Sequence, residues 1–240
     1  MKILITNDDS VSASQLVPLI KKCQTFADVT VIVPKFEQSA KSHSIEIRSA
    51  FEIRHVELEP GITVWSMDST PADCVRFAVS GLKMHFDLVI SGINRGYNLG
   101  RDTMYSGTLA AATEAVCKGM KSLALSASMK YYDRAVNHLE EILRYLEEHR
   151  LYEKNSLYNV NIPVDPKGIR ITQLGNESFA EEFIPMENNM YFPGGTPIHE
   201  DSDDMTLDTV ATNNGYISIT PMTVNRTDWE VFDNLKLLNP

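Results

Sequence analysis

Two adjacent carboxylates follow the first apolar run of the chain. Asp8 and Asp9 come directly after residues 2–6, a run that is typical of a buried strand. Like charges this close repel each other unless a cation lies between them, and carboxylate oxygens suit a hard divalent ion. The alternative is a solvated helix-capping turn, since Asp and Asn are good N-caps. A DxD aspartyl-phosphate site is disfavoured, because the residue two positions after Asp8 is Ser10.

A polar loop at residues 37–44 follows the second predicted strand. Its hydroxyls can ligate an ion or bind a phosphate, and Lys41 or His43 can supply positive charge. Polar loops of this kind are common, and the simpler interpretation of His43 is a surface histidine. The loop by itself therefore identifies no site.

The strongest candidate combines residues 91–100 with residues 105–111. The first segment carries three glycines, which allow the backbone to approach a ligand closely. The second is a Ser-Gly-Thr turn that leads into an Ala-rich helix, where free amides and the helix dipole favour an anion. Ordinary capping by Ser106 or Thr108 is the alternative, and it needs no ligand.

Apolar periodicity predicts the elements that position these segments. Strands are predicted at 2–6, 29–33, 86–91, 122–128 and 157–162, and a hairpin at 45–57 and 62–67. Helices are predicted at 13–26, from Pro71 onward, at 106–119 and at 130–149. This alternation predicts an α/β fold, with a Rossmann-like, mostly parallel sheet and helices on both faces. The carboxyl ends of its strands would bring the loops after residues 6, 33 and 91 together.

The last third of the chain has a different composition. Residues 176–205 are rich in Asn, Glu, Asp, Pro and Gly, yet contain the apolar runs 183–186 and 190–193. Such a segment is either an arm that packs on a partner or a mobile surface loop. A strand at 216–221 follows. We therefore expect one domain with a core at about 1–163 and a C-terminal β-rich extension.

Composition excludes several classes of protein. The 240 residues carry 22 Lys and Arg against 32 Asp and Glu, a net charge of −10, which disfavours nucleic-acid polymers and anionic membranes as partners. No apolar run approaches the roughly 20 residues that span a bilayer. Three widely spaced cysteines form neither a CxxC pair nor a recognisable disulfide pattern. We expect a reduced, cytoplasmic protein.

The three candidate segments together suggest one reaction. Two carboxylates with Ser and Asn oxygens would hold one divalent cation, and a helix N-terminus beside them would hold an anion. No Ser–His–Asp pattern and no Cys or Lys nucleophile is evident. The combination favours metal-assisted hydrolysis of a phosphate ester by water.

The chain resembles the SurE survival-protein family of divalent-metal-dependent 5′/3′-nucleotidases. The matching stretches are 1–9, 37–39, 70–75, 91–100, 105–112, 159–163 and 218–221. The resemblance implies that one cation per subunit, Mg²⁺ or Mn²⁺ with Ca²⁺ as an occupant in crystals, is held by Asp8, Asp9, Ser39 and Asn94. It implies that the phosphate of a nucleoside monophosphate contacts Asn98, Ser106, Gly107 and Thr108. It also implies a homodimer or homotetramer formed through a swapped arm at about 176–205.

Three residues depart from the family pattern. Ser10 and Ala40 stand where the family usually has glycine, and Ser69 stands where glycine commonly precedes the Thr-Pro-Ala-Asp run. If the first two positions require a positive φ, each side chain costs about 1–2 kcal/mol or shifts its loop. None of the changes removes an implied ligand. We therefore expect a working site in which Asp8 or Asp9 also takes the proton of the attacking water.

Two other functions remain open at this level. One is a non-catalytic nucleotide or metal sensor, in which Ser10 and Ala40 have detuned the site. The other is a metal-dependent hydrolase of a different phosphoester, such as short polyphosphate.

Overall fold

A computed structural model describes residues 1–176, 178–198 and 201–238. The predicted arm at 176–205 thus includes three residues, 177, 199 and 200, that lie outside the described part. The described strands are β1 (Lys2–Thr6), β2 (Asp28–Pro34), β3 (Ile53–Glu59), β4 (Ile62–Met67), β5 (Leu88–Arg95), β6 (Lys121–Ala127), β7 (Leu157–Ile162), β8 (Ile169–Ile171), β9 (Ser178–Pro185), β10 (Tyr191–Ile198) and β11 (Ile217–Pro221). The α-helices are α1 (Leu16–Gln24), α2 (Pro71–Arg76), α3 (Gly107–Cys117), α4 (Leu139–Glu148), α5 (Asp208–Asn213) and α6 (Trp229–Leu235).

A single large sheet organises most of these strands, in the order β3-β4-β2-β1-β5-β6-β7-β11-β8. The run from β4 to β7 is parallel, whereas β3 is antiparallel to β4 and β11 is antiparallel to β7. The prediction of a mostly parallel α/β sheet is therefore confirmed. No helix in the described ranges is both long and apolar enough to cross a bilayer.

Alternating side chains of the central strand build the two halves of the core. Ile3 and Ile5 are fully buried in a cluster that includes α1 and α4 on one face of the sheet. Leu4 points to the other face and joins a second cluster that includes α2 and α3. Because both faces are covered, the polar ends of β1 and β5 are held at one rigid edge.

The third predicted core strand continues further than expected. It was predicted at 86–91, whereas β5 extends to Arg95 and so carries Asn94 in the strand. The pairing of β5 with β6 shifts register between Ser91 and Asn94. At Gly92, φ is +132°, and an added Cβ would lie 2.3 Å from the Leu125 carbonyl oxygen. Glycine is therefore required where the irregular strand turns Asn94 toward the site.

The prediction of a strand over 45–57 is wrong for its first half, because β3 begins only at Ile53. The Glu46 carboxylate accepts hydrogen bonds from the N–H groups of Arg48 and Ser49, at 2.6 and 2.9 Å. The Glu46 N–H donates to Asp73 at 2.7 Å. Side chains thus satisfy backbone groups that a strand would pair with a neighbour.

A separate antiparallel hairpin forms from β9 and β10, with Phe183 opposite Pro193 and Ile184 opposite Phe192. It lies within the segment predicted as an arm. Several of its apolar side chains are exposed: Phe183, Ile184, Met186, Met190, Tyr191 and Phe192. The division of the chain into a core and an arm-bearing extension stays a prediction.

Candidate active site at the carboxyl edge of the sheet

A pocket of about 600 Å³ opens at the carboxyl ends of β1 and β5. The loop after β2 and the N-terminus of α3 complete its walls. The predicted site residues that line it are Asp8, Asp9, Ser39, Asn94, Asn98 and Ser106. Gly107 and Thr108 are buried in the first turn of α3, just behind the wall. The three candidate segments are therefore brought to one place.

Asp8 lies against the N-terminus of α3. The Thr108 hydroxyl donates to its Oδ1 at 2.5 Å, and an added Cβ on Gly107 would lie 3.0 Å from the Asp8 Cβ. Glycine therefore lets the carboxylate approach the helix closely, and a larger residue at this position would crowd Asp8. The pKa of Asp8 is raised to about 6, chiefly by burial and in smaller part by the charge of Asp9, against the hydrogen bond from Thr108. A cation beside the carboxylate would offset this cost of ionisation.

Asp9 is partly buried at the adjacent position of the pocket wall. Its Oδ2 accepts a hydrogen bond from the Arg95 N–H at 2.9 Å, so the end of β5 holds the carboxylate in place. Burial raises the pKa of Asp9, and the charge of Glu37 acts in the same direction. Two neighbouring carboxyl groups whose ionisation is disfavoured thus face one solvent-filled space.

Neutral oxygens complete a set of possible cation ligands. The Asn94 Nδ2 donates to the Gly96 carbonyl at 2.9 Å, so Oδ1 is the amide atom available to a cation. The Ser39 hydroxyl donates to Glu37 at 2.6 Å and keeps its lone pairs for coordination. No group of three or more His, Cys, Asp or Glu side chains is placed to hold a metal among the residues that the structure describes. The donor set is thus two carboxylates with hydroxyl and amide oxygens, which fits a hard ion such as Mg²⁺ or Mn²⁺.

The turn before α3 provides the anion side of the pocket. Ser106 is the N-cap, and its hydroxyl accepts from the Leu109 N–H at 3.0 Å. The Gly107 N–H belongs to the first helical turn, whose donors have no acceptor within the helix. The capping alternative is thus realised by Ser106, which takes the Leu109 N–H. The Thr108 N–H bonds to Asp8, so the Gly107 N–H is the first-turn donor at the positive end of α3 that an anion could use. The Thr108 side chain is buried, and its hydroxyl is directed to Asp8.

A buried network of hydrogen bonds from amide side chains holds Asn98 in place. The Asn98 N–H donates to Asn161 Oδ1 at 2.8 Å, and the Asn98 carbonyl accepts from the Asn159 and Asn161 Nδ2 atoms at 2.8 and 3.0 Å. The Asn98 side chain donates to the Ser126 hydroxyl at 2.7 Å. Strands β6 and β7 therefore fix both the backbone and the side chain of the residue that faces the pocket.

The two departures from glycine in the site loops both adopt a left-handed backbone. Ser10 has φ of 74° and Ala40 has φ of 55°. The condition of a positive φ at these positions is therefore met, and the side chains there are strained. The Ser10 hydroxyl contacts the Ser12 hydroxyl at 2.9 Å. Ser69 is not among the residues with positive φ, and its hydroxyl donates to Asp73 at 2.6 Å.

Several residues of the pocket were missed by the sequence analysis. Ser12 and Ser14 line it from the turn after Asp9, and Tyr132 lines it from the segment predicted as a long helix. That segment divides into a 3₁₀ helix at Tyr132–His138 and α4. Apolar periodicity gives no signal for a tyrosine that faces a polar pocket, whereas the Ser-x-Ser spacing could have indicated the other two.

The fold and pocket define a Rossmann-like α/β protein whose polar site lies at the carboxyl ends of parallel strands. The family model described as "Survival protein SurE" matches residues 3–181. A protein named 5′-nucleotidase SurE from Desulforudis audaxviator is 37% identical over 248 residues, which cover 98% of this chain and 96% of that protein. A protein of the same name from Clostridium beijerinckii is 35% identical over 252 residues, with 98% of each chain covered. The crystal structure of the SurE protein from Aquifex aeolicus covers 100% of both chains, with a TM-score of 0.82 and 27% identity.

This chain belongs to the SurE family. The match extends across the residues that build the pocket as well as those that build the sheet.

Proposed function

We propose that this protein is a divalent-metal-dependent phosphomonoesterase that hydrolyses nucleoside monophosphates to nucleoside and phosphate. The names of the relatives, 5′-nucleotidase SurE, support 5′-monophosphates as substrates. We extend the proposal to 3′-monophosphates, which the resemblance to the family implies as a second substrate class, and the pocket of about 600 Å³ lies within the usual size of small-molecule sites.

One observation carries the proposal: the carboxylate pair directly adjoins a helix N-terminus. Asp8 accepts a hydrogen bond from Thr108 in the first turn of α3, and Gly107 packs against its side chain. A site for a cation and a site for an anion therefore share one wall. A phosphate monoester bound to both would have its charge neutralised from two directions.

Each pocket residue has a role in the proposed reaction. Asp8, Asp9, Ser39 and Asn94 hold the cation. When bound, a divalent ion polarises a phosphoryl oxygen and makes water acidic enough to attack near neutral pH. The Ser106 hydroxyl, the Gly107 and Thr108 turn and the Asn98 amide hold the remaining phosphoryl oxygens and orient the ester for in-line attack. Asp8 or Asp9 accepts the proton of the attacking water.

We also propose that the protein is cytoplasmic and assembles as a homodimer or homotetramer. The three cysteines are free, and Cys23 and Cys74 are buried, which supports a reducing compartment. The exposed Met186, Met190 and Tyr191 of the hairpin support an arm that packs on a second copy of this chain.

The test is phosphate release from nucleoside 5′- and 3′-monophosphates with Mg²⁺ or Mn²⁺, and again with EDTA. We expect release that requires the metal. Asp9→Asn should reduce turnover about 100-fold or more while leaving the fold intact, because it removes one ligand charge. The matched control is Asp28→Asn, an exposed carboxylate at the opposite end of the sheet, which should keep the wild-type rate.

The same experiment separates the other two functions. Binding of nucleotide without release of phosphate from the folded protein would indicate a sensor. Release from tripolyphosphate that exceeds release from every nucleotide would indicate a polyphosphate hydrolase. Wild-type turnover in Asp9→Asn would contradict the assigned ligand set.

A further inference from the structure

A second cavity, of about 470 Å³, lies beside the candidate active site. It is bounded by the segment at 100–105 on one side and by the hairpin of β9 and β10 on the other. Its lining residues are Asp102, Tyr105, Glu182, Phe183, Pro193, Gly194 and Gly195. Asp102 and Tyr105 also line the active-site pocket, so the two cavities are adjacent and share this part of their walls.

Two aromatic side chains contribute to the wall of this second cavity. Tyr105 immediately precedes Ser106, the N-cap of α3, and its side chain is 55% exposed. Phe183 lies on β9 and is 65% exposed. Pro193, opposite Phe183, and the two glycines after it form a hairpin surface without large side chains. The cavity therefore has two aromatic side chains in its lining, and one of them, Tyr105, directly precedes the N-cap of α3.

We propose that this second cavity binds the nucleobase of the substrate, with the base held between Tyr105 and Phe183. The inference rests on the proposed function, since it takes the phosphate to lie at the N-terminus of α3. From there a nucleoside extends past Tyr105, along the wall that the two cavities share. Every base presents a π-face, so aromatic contacts of this kind bind bases with little dependence on sequence.

The charge of the cavity argues for a base rather than another phosphate. Asp102 brings a carboxyl group to its lining, on the side of the active-site pocket. A carboxylate repels a second phosphoryl group, whereas it accepts hydrogen bonds from the exocyclic amines and ring N–H groups of bases. The cavity therefore favours the base of a nucleoside monophosphate over a further phosphoryl group of a short polyphosphate.

The test compares a nucleotide with the same phosphate ester lacking the base. We would measure kcat/KM for adenosine 5′-monophosphate and for ribose 5-phosphate in wild type and Phe183→Ala. The variant should lose about 5- to 150-fold on the nucleotide, the range expected for one lost stacking contact. Its kcat/KM on ribose 5-phosphate should stay at the wild-type value. Tyr105→Ala, from the opposite wall, should lower the ratio of the two kcat/KM values in the same direction.

The matched control is Phe192→Ala. Phe192 is also exposed on the hairpin, but it pairs with Ile184 and so faces the side opposite to Phe183. It reports any effect of aromatic loss on assembly, and it should leave the ratio of the two kcat/KM values unchanged.

Three results would overturn the inference. The first is an equal kcat/KM of the wild type on the nucleotide and on ribose 5-phosphate. The second is a ratio of these two kcat/KM values that stays unchanged in both Phe183→Ala and Tyr105→Ala. The third is a ratio that falls as much in Phe192→Ala as in Phe183→Ala. In each of these cases the proposed phosphomonoesterase function survives, because ribose 5-phosphate is still hydrolysed. If the wild type hydrolyses neither ester with any metal, the proposed function itself has failed.

Discussion

Replacing Ala40 by glycine should stabilise the protein, whereas the same change at Ser10 should have almost no effect. Both residues have positive φ, 55° and 74° respectively, in loops that border the active site. They differ in what their side chains contact. Ala40 is exposed, and its methyl group has no polar contacts to lose. Ser10 is buried, and its hydroxyl bonds to both the hydroxyl and the N–H of Ser12.

The magnitudes follow from three terms. Relief of the left-handed conformation gains about 1–2 kcal/mol at either position. Glycine costs about 0.5–1 kcal/mol through the added freedom of the unfolded chain. Ala40→Gly therefore nets about 0.5–1 kcal/mol of added stability. Ser10→Gly also loses hydrogen bonds worth about 0.5–1.5 kcal/mol in net terms, which brings its total close to zero.

Urea denaturation of the metal-free proteins, all at the same protein concentration, measures the change in the free energy of unfolding. We expect Ala40→Gly to raise the urea concentration at the midpoint of unfolding at an unchanged m-value. Thermal unfolding of the same variant should show a rise in Tm of about 1–4 °C. Ser10→Gly should coincide with wild type. Equal stabilisation by the two variants would refute the role given to the Ser10 hydroxyl. Loss of stability in Ala40→Gly would refute the strain argument.

Three further predictions concern the carboxylate, the amide network and the arm. Burial raises the pKa of Asp8 to about 6 from 3.8, so its ionisation destabilises the metal-free protein as the pH rises through 6. Asp8→Asn should therefore be more stable than wild type by up to about 3 kcal/mol in EDTA at pH 7.5, and by much less at pH 4, as urea unfolding would show. Asn161→Leu should lower kcat by about 10- to 100-fold, because it removes the hydrogen bonds that hold the backbone N–H and carbonyl of Asn98. A wild-type kcat in a variant with an unchanged circular dichroism spectrum would contradict this role. Deletion of residues 181–197 should lower the mass measured by light scattering, and an unchanged mass would count against the arm.

The clustering of the site could be predicted because it depends on a general property of parallel sheets. Asp8 follows β1 closely and Asn94 lies near the end of the neighbouring β5, and such ends meet at one edge. The helix beginning after Ser106 was equally predictable from the Ser-Gly-Thr turn. The sequence thus located the cation side and the anion side, although not their separation.

Other features depend on contacts that a linear pattern does not contain. The segment at 45–52 alternates like a strand, yet the Glu46 carboxylate takes up its backbone donors. The hold of Asn161 on Asn98 joins residues 63 positions apart, and no local periodicity encodes it. The cavity beside the active site forms only when the hairpin folds against the segment at 100–105. These features require the tertiary structure.

The most direct test of the account is an anomalous difference map from crystals soaked in Mn²⁺. We predict one strong peak per subunit within coordination distance of Asp8, Asp9, Ser39 and Asn94. Its position should leave space for a phosphate at the N-terminus of α3. A map with no peak at these residues, at a Mn²⁺ concentration that supports phosphate release, would contradict the account.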